Sequence, residues 1–396
     1  MKWNNKDHQF DELGRYLAGI NTIFIWGASQ YGTELFNRLV WLGIENDFEI
    51  IFVDSFKNGS THCKKPVISP CEFFSMFCDN GKMVLLIASF SLREIYIENN
   101  FSNNCEIVMG KNSFANYSMH EPILRNFFSI LMMYKYGKLF SVFNDVISTT
   151  ICTLNCQGCL NYTTLNNSPR HHSIEILKND VDLLFEKADY VNMINISGGE
   201  PNLHPDIYDL IEHIGKYRDR IYEFLFITNG TVMPNGKILT ALAKHRSIVR
   251  VDDYRETVLL ARETVPRALE LLKKYNISHY LMKTDNWIDT KPQKTTNHFM
   301  SENMLINYYD LCGNPYKYVK DGKLYSCNYH GFAVEAGICE EMKCDYLDIA
   351  HASKMEVFEF LLGCSQKGYC TFCKQCDGFF TVNKNKIVPA VQMGRS

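Results

Sequence analysis

Three cysteines, Cys152, Cys156 and Cys159, share the short stretch ISTTICTLNCQGCLNY (147–162), with three and then two residues between them. Such a loop can hold three irons of a cubane cluster and leave the fourth iron without a protein ligand, which opens a place for chemistry. Structural zinc is the competing use of the thiolates; it needs a fourth ligand, and His171 or His172 beyond the loop would have to supply it. A second group follows later: Cys312, Cys327, Cys370, Cys373 and Cys376. There the hairpin signal Asp321-Gly322 predicts that Lys320 faces Lys323, Val319 faces Leu324 and Tyr318 faces Tyr325. That register carries Cys327 back toward Cys312 and makes a four-thiolate site, for an iron–sulfur cluster or for zinc.

The elements that must position these groups are alternating strands and helices. Strand FNDVIST precedes the cysteine loop, VNMINIS precedes Ser197-Gly198-Gly199-Glu200-Pro201, and EFLFITN runs into Thr228-Asn229-Gly230. SIVRVDD carries Asp252, Asp253 and Tyr254, and SHYLMKT ends at Lys283. Helices lie between, the first with Ile174, Leu177, Val181, Leu184 and Phe185 at helical spacing. Strands alternating with helices predict a barrel or partial barrel with reactive groups where strands end.

The loop Cys-x3-Cys-x2-Cys, followed by a strand ending in Gly-Gly-Glu-Pro, resembles the radical S-adenosylmethionine (radical SAM) enzymes over residues 143 to about 285. That resemblance implies that Cys152, Cys156 and Cys159 bind a 4Fe–4S cluster whose free iron is chelated by S-adenosylmethionine. It further implies that Ser197, Gly198, Gly199 and Glu200 hold the methionine amine, with Thr228, Asn229 and Asp252 toward the ribose. Gly158 stands where many members carry an aromatic residue. Cys312, Gly322 and Cys327 resemble the opening of a twitch or SPASM extension, Cys-x9-15-Gly-x4-Cys. By that resemblance Cys312, Cys327, Cys373 and Cys376 bind one auxiliary 4Fe–4S cluster, Cys370 being the alternative to Cys373.

The expected architecture is α/β throughout: a Rossmann-like parallel sheet (1–115), a helical linker (116–142), a partial (β/α)6 TIM-like barrel (143–300) and a small α+β extension (301–396). In the first unit Gly27 and Gly32 bracket a turn and Asp54 ends the next strand, but Ser29 replaces the second glycine of a dinucleotide fingerprint. A docking role, or another nucleotide such as a nucleotide-sugar, is the alternative.

With 46% hydrophobic and 21% charged residues the chain has globular composition, and a net charge of -3 gives no electrostatic reason for a nucleic-acid partner. No membrane segment or secretory leader is read, and fifteen cysteines point to a reducing, cytoplasmic setting. Seven cysteines outside the two groups, including Cys63, Cys71, Cys78 and Cys105, read as small buried hydrophobes. The expected activity is radical abstraction of hydrogen from a small polar substrate, carbohydrate or nucleotide-sugar, leading to oxidation. An external donor such as flavodoxin or ferredoxin would supply electrons. A ribosomal-peptide maturase and a redox-neutral epimerase are the alternatives. Asp253, Tyr254 and Lys283 are the acid–base candidates at the barrel mouth.

Overall fold

The computed structural model describes residues 1–76, 82–88, 108–109 and 121–394. Cys78, Cys105, most of the strand expected at 105–110 and residues 111–120 of the helical connection lie outside them. The chain divides into two compact units, His8–Phe140, and Met1–Asp7 with Ser141–Ser396.

In the first unit helix α1 (Asp11–Ala18) precedes β1 (Thr22–Trp26), α2 (Gln30–Leu42) and β2 (Glu49–Val53). Then come β3 (Thr61–His62), β4 (Lys65–Ile68), α3 (Pro70–Met76), β5 (Met83–Ile87) and β6 (Val108–Met109). Their order in the sheet is β3-β4-β2-β1-β5-β6, parallel except for β3. Strand β1, TIFIW, is buried at every position, which is why it reads as an unbroken apolar run. Asp54 does not face outward at its strand end. Its carboxylate accepts from the backbone N–H groups of Ala28, Phe56 and Lys57, so it serves the local turn where a ribose acid was expected. Cys71 is exposed, contrary to the expectation of burial, and Cys63 is half-buried. A π-helical turn, Leu124–Ser129, leads into α4 (Ile130–Tyr136) within the same unit. Tyr134 of α4 donates to Asp11 of α1 at 2.8 Å.

The second unit is built on one eight-stranded sheet. Strands β7 (Phe140–Thr149), β8 (Tyr190–Gly198), β9 (Ile221–Thr228), β10 (Ile248–Asp252) and β11 (His279–Met282) alternate with helices α5 (Ile174–Lys187), α6 (Ile207–Gly215), α7 (Gly236–Lys244) and α8 (Leu259–Lys274). Next come β12 (Trp287–Ile288), α9 (Glu302–Cys312), β13 (Tyr316–Lys320), β14 (Lys323–Tyr325), α10 (Asn328–Glu335), β15 (Tyr346–Asp348), α11 (Lys354–Leu361) and β16 (Lys386–Ile387). The sheet order is β11-β10-β9-β8-β7-β13-β14-β15, an α/β arrangement consistent with a partial TIM barrel. Five strands, not six, come from the βα series. The next segment, β12, pairs antiparallel with β16 in a separate small sheet, and β13 instead lies parallel to β7 on its free side.

The hairpin forms in the expected register, Lys320 opposite Lys323 and Tyr318 opposite Tyr325. Asp321 and Gly322 both have positive φ, 52° and 73°, as a two-residue turn of this hand requires. Their N–H groups donate to Asp180 of α5 at 2.9 and 2.8 Å. The hairpin and α10 enclose a core in which Tyr318, Tyr325, Tyr329 and Phe332 pack with Cys327 and Cys373. No described helix is long and apolar enough to cross a membrane.

Candidate active site and cysteine clusters

The loop bearing Cys152, Cys156 and Cys159 begins where β7 ends. Its start is clamped to the segment before α5: Thr150 N donates to Arg170 O and Arg170 N returns to Thr150 Oγ1, each at 2.9 Å. The loop following β8 docks directly on it, Gly199 N reaching Thr149 O at 2.7 Å and Glu200 N reaching Ile151 O at 2.9 Å. A Cβ at residue 199 would stand 2.1 Å from the Ile151 carbonyl oxygen, so only glycine permits this approach. At Gly158 the backbone has φ 63° and a Cβ would meet Ile387 Cδ1 at 2.2 Å; the place of an aromatic side chain is taken by β16.

Glu200 joins the ends of β8 and β9. Its side chain is fully buried and accepts from Asn202 N, Asn202 Nδ2, Thr228 Oγ1 and Asn229 N, at 2.9 to 3.1 Å. Burial pushes its carboxyl up to about 7, while these donors pull the other way. The carboxylate expected to hold an ammonium is thus already surrounded by protein donors. Thr228 is committed to Glu200, and Asn229 turns its amide toward Cys152 Sγ (3.5 Å) and Thr153 Oγ1 (3.3 Å). Asn161, which the sequence did not single out, donates to the Gly198 carbonyl.

On β10, Asp252 pairs with Arg250 at 2.9 Å and accepts from the Tyr254 hydroxyl at 3.1 Å. Tyr254 is half-buried beside this carboxylate; desolvation, and then the Asp252 charge, raise its phenol well above the ordinary range, and it packs edge-on against Trp287. The other two acid–base candidates differ from expectation. Asp253 is held in a two-bond ion pair by Arg255, and Lys283 reaches across to the exposed Glu256 at 2.7 Å. Asp253 is thus paired within its own loop, and Lys283 with a residue of the loop after β10. His204 bonds the His172 carbonyl through its ring, as a helix-start residue would, and His172 faces Glu335 at 2.9 Å. Of the two histidines proposed as a fourth ligand, His172 thus faces Glu335 and His171 packs edge-on against the His204 ring.

The second cysteine group converges in space. Cys312 ends α9, Cys327 follows β14, and Cys370 and Cys376 flank the short turn Thr371–Gln375, which contains Cys373. Four of these five are buried, Cys312 being partly so, and Cys370 Sγ lies 3.4 Å from Cys373 Sγ. N–H groups point at the sulfurs: Phe379 N at Cys312 (3.1 Å), Asn314 Nδ2 at Cys327 (3.3 Å) and Gly378 N at Cys376 (3.2 Å). Burial pushes the Cys312 thiol up to about 12 and Cys376 well above its ordinary range. Cys364 is fully buried apart from this group. Among the described residues no three or more His, Cys, Asp or Glu side chains stand at the spacing of a single metal ion.

Residues 146–252 match the Radical SAM superfamily. A protein of Methanocaldococcus jannaschii, named as a glycyl-radical enzyme activating enzyme, is 28% identical over 141 residues, 32% of this chain and 54% of that protein. The chain therefore spans about half the length of this curated relative. Among solved structures, anSMEcpe with bound AdoMet is 16% identical, covering 62% of this chain and 93% of that one at a TM-score of 0.41. BtrN in complex with AdoMet and 2-DOIA is 17% identical, covering 61% and 94% at 0.39. Streptococcus suis SuiB bound to its precursor peptide SuiA is 17% identical, covering 49% and 42% at 0.30.

The match to the Radical SAM superfamily implies a 4Fe–4S cluster and S-adenosylmethionine, and the cysteine loop fits the cluster. Every one of its three sulfurs receives a donor: Leu154 N and Asn229 Nδ2 at Cys152, Gln392 Nε2 at Cys156 (3.2 Å), and Thr163 Oγ1 at Cys159 (3.1 Å). Burial pushes Cys152 up to about 12 and Cys156 up to about 11. Buried thiols at rest are neutral; donors aimed at all three sulfurs suit the negative charge that bound iron would leave on them.

Proposed function

We propose that the protein is a radical SAM enzyme that abstracts hydrogen from a small polar substrate, of carbohydrate or nucleotide-sugar type, and oxidises it. One observation carries the reading: the three donor-served thiols sit on a loop bonded, through Gly199 and Glu200, to the following strand end. When bound, the reduced cluster and S-adenosylmethionine supply a 5′-deoxyadenosyl radical. Cys152, Cys156 and Cys159 would hold the iron. The half-buried Ser197–Gly199 backbone and the buried Asn229 beside it would receive the cosubstrate, while Glu200, saturated by internal donors, sets the spacing of the two loops. Tyr254 and Asp252 are the polar groups left near the mouth.

Cys312, Cys327, Cys376 and one of Cys370 or Cys373 would hold an auxiliary 4Fe–4S cluster able to take the electron that oxidation releases. An external flavodoxin or ferredoxin would prime the enzyme. The N-terminal unit would recognise the nucleotide or carbohydrate part of the substrate; Asp54, occupied by its own turn, argues against a dinucleotide there. A cytoplasmic location agrees with the free thiols. The peptide-maturase reading gains support from β11. This terminal strand of the sheet leaves Tyr280, Leu281 and Met282 exposed, at 36 to 40%, where an extended peptide could pair.

Anaerobic reconstitution tests the proposal. Wild-type protein should carry about two 4Fe–4S clusters and cleave S-adenosylmethionine. Replacing Cys152, Cys156 and Cys159 by Ala should leave one cluster and no cleavage. Zinc alone in the Cys312–Cys376 site would remove the auxiliary half of the reading. With substrates deuterated at carbinol carbons, label in 5′-deoxyadenosine supports oxidation of a small molecule; modification of a peptide alone supports the maturase.

A further inference from the structure

We propose that Gln392 is a positioning residue for the three-cysteine site: the C-terminal segment straps across the cysteine loop and delivers the Gln392 amide to the Cys156 sulfur. The proposal rests on the radical SAM reading above.

The strap is fastened at successive points. Lys386 and Ile387 pair antiparallel with Ile288 and Trp287. The Pro389 carbonyl then accepts from Thr257 Oγ1 at 3.0 Å, on the loop that follows β10. Beyond the buried Ala390 the chain runs antiparallel to the cysteine loop itself. Gln157 N donates to Val391 O and Met393 N to Asn155 O, both at 2.8 Å, and Asn155 Nδ2 reaches Met393 O at 3.1 Å.

Gln392 uses its whole side-chain amide in this contact. Asn155 N–H can only donate, so the atom facing it at 2.8 Å is Oε1. That fixes Nε2 on the other side, where it donates to Cys156 Sγ at 3.2 Å and to Ala390 O at 2.8 Å. Cys156 is the most buried of the three cysteines, 7% exposed, so water is poorly placed to do the same work. A donor on a cluster sulfur favours the more negative, reduced state, and donors and solvent access together set the potential of such clusters.

The experiment is an EPR-monitored redox titration of full-length, anaerobically reconstituted protein, following the signal that the Cys152, Cys156 and Cys159 triple Ala variant lacks. Gln392→Glu keeps an oxygen for Asn155 N but removes the donor to sulfur; Gln392→Leu removes both. Both variants should titrate at a more negative potential than wild type, with iron content retained in Gln392→Glu. Timed exposure to air should strip iron from Gln392→Leu several-fold faster. Midpoints coincident with wild type in both variants overturn the proposal while leaving the radical SAM reading in place. A wild type indistinguishable from the triple variant in iron and EPR signal removes that reading, and this proposal with it.

Discussion

Asp145, on β7, accepts a 2.8 Å hydrogen bond from the side-chain amide of Asn328, which lies 183 residues later and directly beside Cys327. The same carboxylate takes a second bond from Asn195 of β8 at 2.9 Å. Asn314 then donates both to Asn328 Oδ1, at 2.9 Å, and to Cys327 Sγ. A buried carboxylate of β7 is thereby bonded to the surroundings of the Cys327 thiol.

Asp145→Ala should destabilise the protein by about 2–4 kcal/mol, because it leaves two buried amide donors without an acceptor. Thermal unfolding of the reconstituted protein measures it. A loss no larger than that of an exposed Asp→Ala control would show that the two amides find other acceptors.

Gly199→Ala should push the two loops apart, since the added methyl would meet the Ile151 carbonyl oxygen. Iron bound at the three-cysteine site should fall, while the second cysteine group keeps its own. Visible absorption and iron analysis in a variant lacking the second group give the answer; unchanged iron would mean that the loops yield without harm.

Glu200 gives a pH dependence with a definite sign. Its folded-state carboxyl titrates near 7 against an ordinary 4.5, so folding favours the protonated form. Its contribution to stability is greatest below 4.5, falls as pH rises, and levels off above about 7, a change on the order of 3 kcal/mol. Denaturation between pH 5 and 8 should show this fall in wild type and a shallower one in Glu200→Gln. Parallel slopes would refute the assignment.

Asp180→Ala should loosen the hairpin by about 1–3 kcal/mol, because the N–H groups of Asp321 and Gly322 lose their shared acceptor. Hydrogen exchange at those two amides should quicken at least tenfold. Unaltered protection would show that the turn holds itself.

Local patterns in the sequence carried far. Asp321-Gly322 dictated a hairpin register because few residues tolerate consecutive positive φ angles. The spacing of Cys152, Cys156 and Cys159 likewise needs no tertiary knowledge. What escaped depends on contacts between distant residues. Nothing near position 392 signals that its amide meets Cys156, and nothing in FNDVIST says which partners its acid will find. Strand ends locate Asp253 and Lys283 at a loop, yet whether a charge is free depends on Arg255 and Glu256 folding over it. Alternation showed five barrel strands; the sixth, expected with the six-fold barrel architecture, is absent among the described residues, and the chain spends that segment on the small sheet with β16.

Strand β13 borders β7 at residues 143–145 and so continues the sheet that carries the region matching the Radical SAM superfamily. A fragment ending before Tyr316 would bare the main-chain N–H and C=O groups along that flank of β7, an invitation to intermolecular strand addition and precipitation. The second cysteine group is therefore poorly separable from the sheet in the laboratory. Swapping this extension between related chains would succeed only with the strand that comes with it.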